Sequence, residues 1–379
     1  VPFAHPVPPL DRARVPRSPV DEELLRSRVE RTLENFLDRQ QAVLATVSPE
    51  LGPLTGTVRA LLNSGGKRLR PAFCYWGWRG AGGDPDEDGA VAACSALELL
   101  QASALVHDDL IDRSDTRRGV PSVHRRFEAL HRERGWHGDG AQFGAASAVL
   151  LGDLLLAWCD ELLWGSGLSL AAVRRGKPVF DLMRTEVMAG QYLDLLEPAT
   201  AGLAGAEREG AIERARTVVH YKAAKYTVER PLQIGGLLAG ADAALTAAYG
   251  AFGLPLGEAF QLRDDLLGVF GDPEVTGKPA GDDLREGKRT LLVAETLAEC
   301  SASDGRLLNG LLGASELSEH EVGLLRAAIV RSGAPERIEQ RITVLRAEAL
   351  SALDDAPLVE PEARRVLRRL AGAATARRS

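Results

Sequence analysis

The sequence predicts an all-α fold, a bundle of long helices, on three observations. Leu25, Val29, Leu33, Phe36, Leu37 and Leu44 recur with the period of an amphipathic helix. Several later runs are apolar nearly all round, as helices buried inside a bundle are. Alternating β-branched segments bounded by turn pairs are missing, and with them any βαβ unit.

Taken in order, residues 1–17 carry five prolines and little periodicity, which predicts a flexible arm. Residues 18–379 are expected to form one all-α domain. It starts at Ser18-Pro19-Val20-Asp21, where an N-cap residue, a proline at the first helical position and an early acid mark a helix start. The runs 89–113 and 145–164 predict central buried helices, and 210–240 and 243–270 read the same way. Two stretches are irregular: the polar loop 131–142, and 271–290, with four glycines and two prolines among many charges. A loop as long as the second, inside a packed domain, is usually functional or disordered. The basic end at 363–379 reads as a solvated helix face and a frayed tail.

Composition narrows the class. The 379 residues are 45% hydrophobic with a net charge of −7, which fits a globular protein and argues against a nucleic-acid binder. No run of 18 apolar residues occurs, so no transmembrane segment is expected. The N-terminal stretch lacks the apolar core of a signal peptide. Cys74, Cys94, Cys159 and Cys300 contain no CxxC pair and fit reduced thiols, so a cytoplasmic location is expected.

The chemistry is concentrated in aspartate pairs. In Leu105-Val-His-Asp-Asp-Leu-Ile-Asp-Arg-Ser-Asp-Thr-Arg-Arg-Gly119, Asp108 and Asp112 stand one helical turn apart, with Asp109 at the edge of their face. Clustered carboxylates raise one another's pKa unless a cation lies between them, and an unpaired charge on a buried helix is costly. An oxygen-only donor set suits Mg²⁺, which takes a few carboxylates together with substrate phosphates. Arg117 and Arg118 follow, with forks that match phosphate oxygens. A second pair, Asp264 and Asp265, again lies on an apolar helix, and the segment after it carries Lys278 and Lys288. Acids for a metal beside bases for phosphate point to a metal–diphosphate site. A third cluster, Asn63-Ser-Gly-Gly-Lys-Arg-Leu-Arg-Pro71, joins two glycines to Lys67 and Arg70 without P-loop spacing. His107-Asp108 looks like the centre of a metal-dependent HD phosphohydrolase, but the only upstream histidine, His5, lies in the arm.

These residues together resemble the trans-isoprenyl diphosphate synthases, or polyprenyl synthetases. GGKRLRP, DDLID followed by DTRRG, Gly190-Gln191, and FQLRDDLLGVFGDPEVTGKPAGDDLREGKRT fall in the family's order across roughly residues 20–350. The resemblance implies an isoprenoid synthase-type bundle around a deep central cavity, assembled as a homodimer. It implies head-to-tail condensation of isopentenyl diphosphate with an allylic diphosphate. Carried onto this sequence, Asp108, Asp109 and Asp112 form the first metal motif and Asp264 with Asp265 the second, holding three Mg²⁺ ions on the allylic diphosphate. Arg117, Lys225, Gln261 and Lys278 are implied as further contacts to that diphosphate, with Thr227 beside Lys225, and Lys288 as another substrate-side base. Lys67, Arg70 and Arg118 correspond to the isopentenyl diphosphate clamp. The chain departs from the family pattern at Gly268, where a final aspartate is usual, and at Gln101, where many members carry a histidine.

The resemblance also sets the expected product. The growing tail is expected to run beside the helix that carries Asp108, which advances about 5.4 Å per turn, close to one isoprene unit. Ser103 and Ala104 are small and leave the channel open past farnesyl length, while Leu100 could form a deeper floor. Trp158, Trp164, Met183 or Met188 could close the channel from facing helices. Geranylgeranyl diphosphate is therefore the expected product, with longer chains next. A class I terpene cyclase would want Ser or Thr where Gly268 stands, and has no use for GGKRLRP. A non-catalytic partner subunit would be expected to have lost an aspartate motif, whereas the first is complete.

Overall fold

Residues 24–200, 208–271, 281–314 and 317–375 are described by the structure, a computed structural model, and every long element among them is a helix. The arm at 1–17, the start signal at 18–21 and Lys278 lie outside the described residues.

α1 (Leu25–Val47) buries Leu25, Val29, Leu33, Phe36 and Leu37, the stripe that its spacing predicts, with Leu44 half-buried. A 3₁₀ turn (Pro49–Leu51) leads into α2 (Gly52–Asn63). α3 (Leu69–Gly80) is buried on every side, and α4 (Asp88–Ile111) runs through the centre and carries the first aspartates at its end. β1 (Thr116–Arg117) and β2 (Val120–Pro121) make a two-residue antiparallel ribbon, pairing Thr116 with Pro121. α5 (Val123–Glu133) and α6 (Gly140–Trp164) flank a shorter loop than expected, because Asp139 caps α6 by accepting from the amides of Ala141 and Gln142. α7 (Leu170–Thr200) and α8 (Arg208–Val218) follow.

The single helix expected over 210–240 is three pieces. Between α8 and α9 (Arg230–Ala239) lies a π-helical segment, Val219–Glu229, which ends just before Pro231, a residue with no amide hydrogen to give. α10 (Ala243–Phe270) carries the second aspartate pair. Within the stretch read as an irregular loop, α11 (Asp282–Glu286) forms a short helix. α12 (Leu291–Glu299), α13 (Ala302–Leu311), α14 (Glu319–Arg331), α15 (Ala334–Asp355) and α16 (Pro361–Thr375) complete the chain.

Two apolar cores hold the bundle. The larger spans α1, α3, α4, α6, α7 and α9, around Phe73, Trp76, Leu97 and Phe180. The smaller joins the end of α10 to α12, α14 and α15 through Leu262, Leu266, Leu325 and Ile338. α4 and α6 have the length and hydropathy of membrane-crossing helices, although no uninterrupted apolar run predicts one. α4 is enclosed by the bundle. α6 buries Leu151, Leu155 and Leu162 and leaves Val149 and Leu150 exposed.

Candidate active site

A cavity of about 970 Å³ is lined by α4, α7, the π-helical segment, α10, and the segments 66–70 and 282–290. The last turn of α4 brings Asp108 to its wall. Asp108 accepts from the Gln191 amide at 3.0 Å and faces Lys222 at 3.6 Å. Asp109 is turned away and only 1% exposed, held by Arg117 through Nε at 2.6 Å and Nη2 at 2.5 Å. Asp112 caps α4 and meets Lys288 at 3.0 Å. Burial raises the pKa of Asp112; Lys288 opposes this, and Asp108 and Glu286 add to it.

On α10, Asp264 and Asp265 line the same cavity. Asp265 is 4% exposed; its Oδ1 accepts from Gln261 at 2.8 Å, while its Oδ2 has no hydrogen-bond partner. Burial pushes this carboxyl up to about 8 against the pull of the Gln261 bond, and Asp283, Asp264 and Asp194 reinforce the rise. Gln261 therefore rests on an aspartate within the cavity rather than reaching away from it.

The π-helical segment decides which lysine enters. Lys222 lines the cavity between Asp108 and Asp194, the latter at 2.5 Å. Burial disfavours its charge, but those two carboxylates outweigh it and raise its pKa. Lys225, expected at the diphosphate, does not line the cavity: it meets Glu186 at 3.2 Å and stands over the Tyr221 ring. In an α-helix residues three apart share a face, but the wider π turn rotates less per residue and parts the two lysines. Gly190 permits the arrangement, since a Cβ there would come within 2.5 Å of the Lys222 amide nitrogen. Lys222 and Asp194 were not singled out by sequence reasoning; Asp194, three residues after Gln191 on α7, could have been found by helical spacing.

The second group of bases meets in the same cavity. Lys67, Arg70 and Arg118 line the cavity with Gln101. Arg70 donates to Thr227 Oγ1 at 2.9 Å and lies over Tyr226 at 4.2 Å, so Thr227 belongs with this group and not with Lys225. Arg118 donates to the Gly65 carbonyl, and its backbone, like that of Arg68, is left-handed, with φ of 54° and 51°. Such backbone costs about 1–2 kcal/mol per residue and persists where surrounding contacts enforce it. Here Arg68 is buried against Glu98 at 2.5 Å and donates to the Leu62 carbonyl at 2.6 Å. Burial and the cations of Arg117, Arg68 and Arg70 lower the Arg118 pKa, with Glu98 opposing, so the cluster favours an anion. Gln101 keeps its Oε1 buried and without a partner.

The apolar wall corrects the ruler. Ala104 lines the cavity, opposite no aromatic from its own helix, together with Val187, Met188 and Phe260. Leu100 is fully buried and absent from the lining, and Ser103 is buried with its hydroxyl on the Gly152 carbonyl of α6 at 2.7 Å. Ser103 sits five residues before Asp108, which turns it toward α6, whereas Ala104 is four before and shares the face. Of the facing candidates only Met188 lines the cavity. Met183 is in the core, Trp158 packs edge-on to Phe36, and Trp164 is exposed.

The donor set fits Mg²⁺. It is all oxygen and highly charged, and it includes a buried carboxylate oxygen with no partner. Among the described residues no three such groups stand close enough to enclose an ion by themselves. That suits a cation that completes its shell with substrate phosphates and water.

Comparison with known proteins agrees with this geometry. The family model described as polyprenyl synthetase matches residues 53–328. Geranylfarnesyl diphosphate synthase of Aeropyrum pernix is 32% identical over 317 residues, 83% of this chain and 91% of that protein. (2E,6E)-Farnesyl diphosphate synthase of Mycobacterium tuberculosis is 32% identical over 324 residues, 81% of this chain and 78% of its own. The crystal structure of geranylgeranyl pyrophosphate synthase from Corynebacterium glutamicum, complexed with isoprenyl diphosphate and magnesium, superposes with a TM-score of 0.87. It is 40% identical, covering 93% of this chain and 99% of that one.

Proposed function

Since the chain belongs to the polyprenyl synthetase family and is a prenyltransferase, we propose that it joins isopentenyl diphosphate head to tail to an allylic diphosphate, giving geranylgeranyl diphosphate. The observation that carries the reading is one cavity lined by both aspartate helices, by Lys222, and by the separate base cluster of Lys67, Arg70 and Arg118. Two groups of bases suit two diphosphates.

Asp108, Asp112, Asp264 and Asp265 are the residues that would hold Mg²⁺, three ions when the allylic diphosphate is bound, with Asp109 fixing Arg117 behind them. Mg²⁺ bound there supplies Lewis-acid stabilisation of the departing diphosphate. Lys222 and Arg117 donate hydrogen bonds where negative charge grows as the allylic C–O bond breaks. Lys67, Arg70, Arg118 and Gln101 hold isopentenyl diphosphate so that its double bond meets the allylic carbon. Ala104, Val187, Met188 and Phe260 exclude water, so the allylic cation is captured by carbon. The proton then lost from the new chain passes to the released diphosphate.

Ala104 leaves room beside α4 past farnesyl length, and Val187 with Met188 narrows the far wall. Two copies are proposed to pack through α6 and α7, where Val149, Leu150 and Leu182 are exposed. Four thiols without disulfides fit a cytoplasmic protein, its described helices forming one domain. The test incubates the protein with Mg²⁺, isopentenyl diphosphate and each short allylic diphosphate, and reads product length by mass spectrometry. A twenty-carbon product is expected. Farnesyl diphosphate as end product would remove the chain-length reading, and no condensation by folded protein would remove the whole.

A further inference from the structure

We infer that Asp283, delivered from α11, supplies the third carboxylate of the second metal cluster, which α10 itself lacks at Gly268. The inference rests on the prenyl-transfer reading for the identity of its ligands. The chain's own first motif sets the comparison. Asp108, Asp109 and Asp112 occupy the first, second and fifth positions, so the last returns toward the face of the first after one turn. On α10 the corresponding residues are Asp264, Asp265 and Gly268.

Gly268 lines the cavity, and the space its side chain would enter is taken. A Cβ built on Gly268 would lie 2.5 Å from Cγ of Asp283 and 3.1 Å from Oδ1, with Oδ2 closer still. Asp283 therefore puts its carboxylate where an aspartate from position 268 would begin. Its carbonyl accepts from the Lys288 amide at 3.0 Å, which ties the carboxylate's position to the turn bearing Lys288.

An independent observation points to a cation. Asp265, one residue from Asp264 and lining the same wall, keeps Oδ2 buried and without a partner. A carboxylate oxygen buried and unpaired is costly, and a divalent ion shared by Asp265, Asp264, Asp283 and the oxygens of a bound diphosphate removes that cost. The motif is thus rebuilt from two elements, with glycine at 268 required to admit the incoming acid.

The probe is Mg²⁺ with inorganic diphosphate, titrated into the full chain by calorimetry, with melting temperature recorded with and without both. Asp283→Asn keeps the shape and is expected to weaken Mg²⁺-dependent diphosphate binding about tenfold or more, with the ligand-free melting temperature unchanged. Gly268→Asp alone is expected to weaken binding as well, because the new carboxylate overlaps and repels Asp283. The double variant Gly268→Asp with Asp283→Gly returns the acid to α10 and is expected to recover binding, a rescue that a merely structural aspartate would not give. Unchanged binding in Asp283→Asn, or a double variant no better than Asp283→Gly, overturns the inference alone. A wild-type chain that binds no diphosphate with Mg²⁺ overturns the prenyl-transfer reading with it.

Discussion

Alanine at Lys222 and at Lys225, tested separately, divides the two lysines of the π-helical segment by function. Lys222 stands in the cavity 3.6 Å from Asp108, where a leaving diphosphate would gather charge. Removing one preorganised donor from such a position costs about 2.7–4 kcal/mol in the transition state, or about 10²–10³ in kcat. Lys225 instead gives one hydrogen bond to Glu186, which keeps two bonds from Arg230, through Nε and Nη2, each at 2.7 Å. Its loss is expected to cost about 1 kcal/mol of stability and to leave kcat within a few-fold. Steady-state incorporation of labelled isopentenyl diphosphate, with kcat and KM determined separately and thermal melts alongside, reads both effects. A Lys225→Ala variant that loses as much kcat as Lys222→Ala would refute the argument from π-helical winding.

Three further variants probe other parts of the cavity and its frame. Ala104→Phe is expected to stop elongation early and give farnesyl diphosphate by mass spectrometry; an unchanged product would take Ala104 out of the tail's path. Arg68→Ala leaves Glu98 buried and unpaired, so a stability loss of about 3–5 kcal/mol is expected, with a raised KM for isopentenyl diphosphate because the Lys67–Arg70 turn loosens; an unchanged KM would deny Arg68 that positioning role. Glu258, 3% exposed, receives Arg341 at 2.6 and 2.9 Å and His220 at 3.2 Å; burial raises its pKa, but these partners outweigh it and lower the value. Because the folded pKa is depressed, this stabilisation is full above the unfolded glutamate value of about 4.3 and is lost as pH falls toward the folded value. Glu258→Gln should therefore melt earlier at neutral pH and close the gap to wild type in acid, and parallel melting curves across pH 3–7 would contradict this.

The all-α class was legible because apolar periodicity acts residue by residue: the buried face of α1 follows from the spacing of Leu25 to Leu37 alone. Asp108, Asp264 and Asp265 were legible for a similar reason, since acids inside apolar helices need a purpose. What escaped the sequence depends on winding and on chain return. Lys222 lines the cavity and Lys225 does not because eleven residues wind as a π-helix, which local composition does not announce. Asp283 reaches Gly268 because α11 packs back against α10, a contact between elements that spacing within one helix does not reveal. Ser103 and Leu100 do not line the cavity, as helical phase could have shown. Counting at 3.6 residues per turn puts Gln101 and Ala104 near the face of Asp108 and turns Ser103 well away, as found.

The acids of the first motif each engage a cation of the chain itself: Asp108 has Lys222, Asp109 has Arg117, and Asp112 has Lys288. This arrangement sets how ligands must enter. If Mg²⁺ came alone to Asp108 and Asp112, it would push Lys222 and Lys288 off their partners and leave them facing a dication. If diphosphate came alone to the lysines, it would stand against the carboxylates. Entering together, the two exchange partners without loss, each carboxylate passing from ammonium to metal and each ammonium from carboxylate to phosphate. In a site this buried an unpaired charge is worth several kcal/mol, so the joint entry is strongly favoured over either single one. Titration of Mg²⁺ alone and of inorganic diphosphate alone should therefore give weak binding, and each should tighten sharply in the presence of the other. Independent binding, with affinities unchanged by the second ligand, would mean that the ion pairs of the resting site do not have to be exchanged at all.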